Sequence, residues 1–265
     1  MYTVYRGDEI LRDGGLKIPG LVEHRVGSDM NPTHFRDFIQ IAGVRDLDEA
    51  NLLMECGIRY LGFPLRLPVN KEDLSEPAAA AIIRTMRAPS YGVAITYQST
   101  AEDIVDFMDY LGASLVQLHG DIASQELAKL KRLRPHLTVI KSLVIGKQPF
   151  EELVDTLQRL SAFVDAYLTD TFDPATGASG ATGKLHDLQV SRRLVELATK
   201  PVILAGGLTP ENVREAIKFV APAGVDAHTG VEDAAGHKDP ARVRRFEAEA
   251  RAGFELLRAS GAYSG

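Results

Sequence analysis

The chain has 265 residues, of which 45% are hydrophobic and 25% charged, an ordinary globular composition with room for one α/β barrel of about 250 residues or two small domains. A net charge of -6 argues against a nucleic-acid surface but leaves room for a local anion pocket. The single cysteine, Cys56, excludes an internal disulfide and points to a reducing, cytoplasmic setting.

No apolar run approaches the roughly 20 residues needed to span a membrane, and the acidic N-terminus lacks the apolar stretch of a signal peptide. Residues 1–37 stand apart from the rest. They carry scattered Gly and Pro with short β-like pieces, and are expected to form an N-terminal extension without chemistry of its own.

From Phe38 to Gly265 the pattern becomes regular. FIQIAGV predicts a strand, and the following helix has Asp46 as N-cap and Gly57 just past its end. RYLGFPL, YGVAIT, SLVQLHG, LTVIKSL and AYLTD predict five more strands, each followed by a helical stretch. Ser99 or Thr100 caps the helix after YGVAIT. A glycine-rich loop, DPATGASGATGK, precedes the helix after AYLTD. PVILAGG and GVDAHTG are the last two strands, and the final helix starts near Pro240.

Strict alternation of strands and helices predicts a parallel sheet with helical crossovers. Eight such units predict one closed (β/α)8 TIM barrel over residues 38–265. An open doubly wound sheet would place its glycine-rich loop after the first strand, where this chain has AGVRD. The two late glycine turns predict a phosphate cup at the last two loops. Gly206 and Gly207 let the backbone approach a ligand without a Cβ. Thr209 is expected to cap the next helix, with Pro210 in its first turn.

VQLHGD (Val116 to Asp121), YLTDTFDPATG…GATGK (Tyr167 to Lys184), ILAGGLTPENV (Ile203 to Val213) and GVDAHTGVED with GHKD (Gly224 to Asp239) occur in that order. The chain resembles the phosphoribosylanthranilate isomerase family of tryptophan biosynthesis over roughly Phe38 to Phe246. The resemblance implies an Amadori rearrangement, in which an aminoaldose 5-phosphate opens and becomes an aminodeoxyketose phosphate. An acid must protonate the ring oxygen, and a base must remove the C2′ proton of the resulting Schiff base.

By that resemblance Asp170 is the acid, with Asp173 a loop competitor. The phosphate falls to Gly183, Gly206, Gly207, Thr229 and Gly230. His119 and Asp226 are substrate contacts, and Arg66 stands nearest to the arginine that holds the anthranilate carboxylate. The chain departs from the family at its first strand. The family's K-I-C-G carries the basic cysteine, whereas here IQIAG puts Gln40 at the lysine and Ala42 at the cysteine. Cys56 lies in the first helix and reads as core. His228, where the family has a serine, shares a face with Asp226 and borders the first strand. It stands as a candidate base, with phosphate binding or simple packing as the alternatives.

No cofactor is expected. His119 and His228 lie on opposite sides of the barrel, so no shared metal is expected either. The expected partner is a small phosphorylated, sugar-like substrate, without nucleic acid or membrane, and homo-oligomerisation stays open. Two other readings remain: a different phosphosugar isomerase or lyase using Asp170 and His228, and a non-catalytic phosphate-ligand or interaction protein.

Overall fold

A computed structural model describes residues 35–68, 72–173, 178–179 and 188–261. Nearly all of the expected extension, and Gly183 of the expected phosphate site, lie outside these residues. The strands are β1 (Phe38–Ala42), β2 (Tyr60–Pro64), β3 (Tyr91–Thr96), β4 (Leu115–Leu118), β5 (Thr138–Ile145), β6 (Ala166–Asp173), β7 (Ala178–Ser179), β8 (Val202–Leu204) and β9 (Gly224–Ala227). β7 is a two-residue partner antiparallel to the end of β6. The other eight strands are parallel, and each pairs with two neighbours, so the ring closes as the alternation predicts.

The helices are α1 (Leu47–Glu55), α2 (Glu76–Thr85), α3 (Ala101–Leu111), α4 (Ser124–Leu133), α5 (Phe150–Leu160), α6 (Leu188–Leu197), α7 (Val213–Val220) and α8 (Pro240–Ala259). Local chemistry sets their starts. Asp46 accepts the Glu49 N–H at 2.8 Å, and Gly57 leaves α1 with φ +87°. Of the two candidate caps for α3, Thr100 is the one used.

Thr209 makes the bonds of its expected capping role. Its N–H donates to Asn212 Oδ1 at 2.8 Å, and its Oγ1 accepts the Glu211 N–H at 3.2 Å. The Thr209 carbonyl oxygen also accepts the Val213 N–H at 3.1 Å, so this turn leads into α7, whose regular part begins at Val213. No helix among the described residues is long and apolar enough to cross a membrane.

Side chains alternate across each strand and fill two shells. Ile39, Ile41, Val116, Val139 and Leu204 face the helices as part of the larger outer core. Phe38, Val93, Leu115, Ile140, Leu168 and Ile203 fill the barrel interior. At the N-terminal end an aromatic floor closes the barrel. Phe38 stacks on Tyr60 at 4.0 Å between ring centres, and Phe35 lies 5.5 Å from Phe38. Water is thereby kept from the barrel's lower half, and the inward positions above the floor are free to carry polar groups.

The loops after β8 and β9 are fitted to each other through a glycine. A Cβ on Gly230 would lie 1.9 Å from the Leu208 carbonyl oxygen and 3.3 Å from Thr209 Cα. Both obstacles are backbone, which a side-chain rotation cannot move. Gly230→Ala is therefore expected to cost about 1–3 kcal/mol, seen by circular dichroism as a fall in Tm of roughly 2–4 °C per kcal/mol.

Candidate active site

Above the apolar floor the inward positions turn polar. Moving up by two residues along a strand keeps a side chain on the same face. On β6 that series runs Ala166, Leu168, Asp170. On β4 and its extension it runs Leu115, Gln117, His119, on β1 Phe38, Gln40, Ala42, and on β9 and its extension Gly224, Asp226, His228. Asp170, His119, Gln117, Gln40, Ser142 and Asp226 are all buried. Closure of the ring brings them to one end of one cavity wall.

Their hydrogen bonds form a belt. Gln40 Nε2 donates to Gln117 Oε1 at 2.9 Å, and Gln117 Nε2 donates to Ser142 Oγ at 3.4 Å. Ser142 Oγ also meets His119 Nδ1 at 3.0 Å. His119 Nε2 then faces Asp170 Oδ2 at 3.8 Å, and the His119 ring lies 4.9 Å from the ring of Tyr97. Asp170 Oδ1 accepts the Thr171 N–H at 2.7 Å.

Burial dominates the electrostatics of these groups. It pushes the Asp170 carboxyl up to about 7, with the Thr171 N–H pulling the other way. Asp226 is raised well above the usual carboxylate range, first by burial and then by the charge of Asp170, while Gln40 and Lys238 oppose the rise. Tyr97 is pushed up to about 12 by burial and by Asp170, so its phenol stays protonated. An acid with proton affinity near neutrality, at the C-terminal end of a barrel strand, is suited to donate to a sugar oxygen.

His228 reaches the strand end it was expected to border. Its Nε2 lies 2.1 Å from where a Cβ on Gly43 would be, so the ring rests against the backbone just past Ala42. Nε2 is 3.4 Å from Glu232 Oε1, and Glu232 is bound to Lys238 at 2.6 Å. Burial, then the Lys238 charge, lowers its proton affinity to about 3, so the imidazole is neutral and a weak base at neutral pH.

Gly206 and Gly207 take φ +93° and +65°, a turn that favours glycine at both places. Through Gly230 this turn's continuation touches the Thr229–Val231 3₁₀ turn, so four of the five expected phosphate residues come together. Arg66 is placed elsewhere. Its guanidinium makes two bonds to Glu76 at 2.8 and 3.0 Å and lies 4.1 Å above the ring of Phe107. It is held by the first residue of α2 and the core face of α3, not among the groups around Asp170. Cys56 is buried at the end of α1, with Sγ 3.9 Å from the Pro240 carbonyl oxygen, as a core residue. The Asp173 side chain lies outside what the structure describes.

Two members of the belt, Gln117 and Ser142, were not singled out from sequence. Gln117 had a readable signal, since it precedes His119 by two and shares its face. Ser142 lies two residues after the inward Ile140 but follows no motif. Among the described residues, no group of three or more His, Cys, Asp or Glu side chains is placed to hold a metal ion.

Residues 39–249 match the family model for N-(5'-phosphoribosyl)anthranilate isomerase. The chain is 34% identical over 222 residues to the N-(5'-phosphoribosyl)anthranilate isomerase 2 of Methanosarcina mazei, covering 83% of this chain and 96% of the relative. It is 33% identical to the isomerase of Methanothrix thermoacetophila, over 78% of this chain and 95% of that one. The solved phosphoribosyl anthranilate isomerase of Thermotoga maritima superposes with a TM-score of 0.68 at 27% identity, covering 81% of this chain and 98% of its own. Sequence motifs, barrel and site geometry agree with these likenesses, and the chain belongs to the N-(5'-phosphoribosyl)anthranilate isomerase family.

Proposed function

We propose that this protein catalyses the Amadori rearrangement of N-(5'-phosphoribosyl)anthranilate, the isomerisation that serves tryptophan biosynthesis. The observation that carries the reading is Asp170. It lies in the C-terminal half of β6, is buried beside His119, and has a carboxyl pushed up to about 7. It protonates the ring oxygen. His119, tied to Ser142, fixes the sugar's position, and Asp226 lines the same wall. The phosphate rests on the Gly206–Gly207 turn and the Thr229–Gly230 turn.

A solved relative, 25% identical and with a TM-score of 0.66, is in complex with reduced 1-(o-carboxyphenylamino)-1-deoxyribulose 5-phosphate. That ligand carries the two chemical ends this site would need to seat. The neutral His228 ring supplies a wall beside the sugar. The expected setting is the cytoplasm, where a phosphorylated, membrane-impermeant substrate is made and used.

The direct test is turnover of phosphoribosylanthranilate by the purified chain. Asp170→Asn is expected to lower kcat by about 10²–10⁴-fold with KM little changed. In the unaltered protein kcat should fall as pH rises through about 7, because the acid form of Asp170 is lost there. Tight phosphosugar binding without turnover would instead favour the non-catalytic reading.

The same carboxyl makes a stability prediction independent of activity. Its folded-state proton affinity is raised from 3.8 to about 7, so stability is lost as pH rises from about 4, where the unfolded carboxyl ionises, to about 7, where the folded one does. Asp170→Asn removes that cost. The variant should be more stable than the unaltered protein at pH 8 by a few kcal/mol, and the difference should vanish near pH 4. Urea unfolding at the two pH values measures it.

A further inference from the structure

The proposed reaction needs a base, and the family's cysteine is replaced by Ala42. A base must have a free lone pair near the reacting carbon and must hold a proton well at neutral pH. His228 meets neither demand well. Its Nε2 is turned to Glu232 and to the Gly43 backbone, and it stays neutral.

Asp226 is differently placed. Thr169 pairs with Leu204, and Leu204 pairs with Val225. One step further along each strand lie Asp170, Ala205 and Asp226, all on inward positions. The Ala205 N–H donates to Thr169 O at 3.1 Å, so the pairing continues to that level. In this register Ala205 is the inward residue between the two acids. On its other side Asp226 pairs with Gln40 of β1, two residues before Ala42.

The two carboxyls are not equally engaged. Asp170 has Oδ1 bonded to Thr171 and Oδ2 facing His119. Asp226 is 8% exposed, and its buried Oδ1 has no hydrogen-bond partner. Gln40 Oε1 beside it is also buried and unpartnered. A buried, unbonded carboxyl oxygen is costly to keep unless something uses it.

Resting on the isomerase reading, we propose that Asp226 is the base that removes the C2′ proton, paired with Asp170 as acid across Ala205. Asp170 gives its proton to the ring oxygen, the C1′–O bond breaks, and the Schiff base forms with a positive nitrogen. Asp226 takes the C2′ proton. The C–H electrons become the C1′=C2′ bond, and the C1′=N electrons return to nitrogen. The enol then becomes the ketone as Asp226 returns its proton to C1′ and the hydroxyl proton passes to Asp170, so both carboxyls end as they began. The net change is isomerisation, with no oxidant or co-reactant.

The charge of Asp170 raises Asp226, so the two carboxyls resist ionising together and titrate as a coupled pair. The groups that bear on it are Asp170 of β6, Tyr97 after β3, His119 after β4, His228 after β9 and Lys238 before α8.

Two measurements test the pair. With phosphoribosylanthranilate as substrate, Asp226→Asn should lower kcat about 100-fold or more with KM nearly unchanged, and Ala42→Cys added to it should restore at least about tenfold. A structural role for Asp226 would show no such rescue. Turnover by Asp226→Asn within about twofold of the unaltered protein would overturn the proposal. Carbon NMR of the labelled aspartates, without substrate, should show coupled titration of two carboxyls above the usual range, with Asp170→Asn lowering the transition of Asp226. Independent titration in the ordinary carboxylate range would sink the pair whatever the protein turns over. If the unaltered protein turns over no phosphoribosylanthranilate, the isomerase reading falls and the titration alone decides the pair.

Discussion

Everything at the mouth of this barrel depends on carboxyls placed on the inner wall of a sheet that admits little water. The parity of β6 and β9 puts Asp170 and Asp226 inside, each within a tenth of full burial. Desolvation raises both, and the charge of Asp170 raises Asp226 further. That arrangement works against folding stability at neutral pH. It is sustained by the two apolar shells and the aromatic floor beneath, which fix the strands so firmly that the acids cannot turn outward. The proton affinity useful to an acid is thus a consequence of the same burial that closes the barrel.

The belt from Gln40 to His119 shows how neutral polar groups can be carried at that level. Each amide or hydroxyl uses its neighbour as partner, so the interior needs no charge to satisfy them. The two departures on β1 then fit one account. A lysine at position 40 would sit beside Asp226 and hold its carboxyl low. Gln40 lacks that charge, and Lys238 opposes the rise only as the last and smallest contribution. Loss of the lysine makes Asp226 a stronger base at the place where loss of the cysteine leaves none.

Much of the architecture was legible in the chain. Strict alternation gave eight parallel strands in a ring, and the caps Asp46 and Thr100 were readable because a side-chain oxygen at an N-cap needs only local partners. Thr209 was readable for the same reason, with Asn212 three residues on returning a bond to its N–H. At the site, parity placed Asp226 and His228 on one face and brought His228 to the end of β1. The proton affinity of His228 was not legible. It follows from burial under the loop that carries Glu232 and Lys238, and that loop's path depends on a hydrogen bond from the Lys238 N–H to Glu49, 189 residues away. Arg66 was uncertain for a related reason. Nothing local announces that Glu76, ten residues on, will engage its guanidinium at two points.

The two sides of the mouth are therefore built on different principles. On the phosphate side, backbone meets backbone at Gly230 and Leu208, so the cup's shape is fixed before any ligand arrives. In the proposed reaction, binding energy from the phosphate would hold the sugar against the acids, far from the bond that reacts. On the side of β2, Arg66 already has a carboxylate in Glu76 and an aromatic face in Phe107. A substrate carboxylate would have to displace Glu76 to reach it, exchanging one ion pair for another with little net gain. In the proposed reaction, discrimination would therefore rest on the phosphate end and on Asp170 and Asp226, more than on the far end of the substrate.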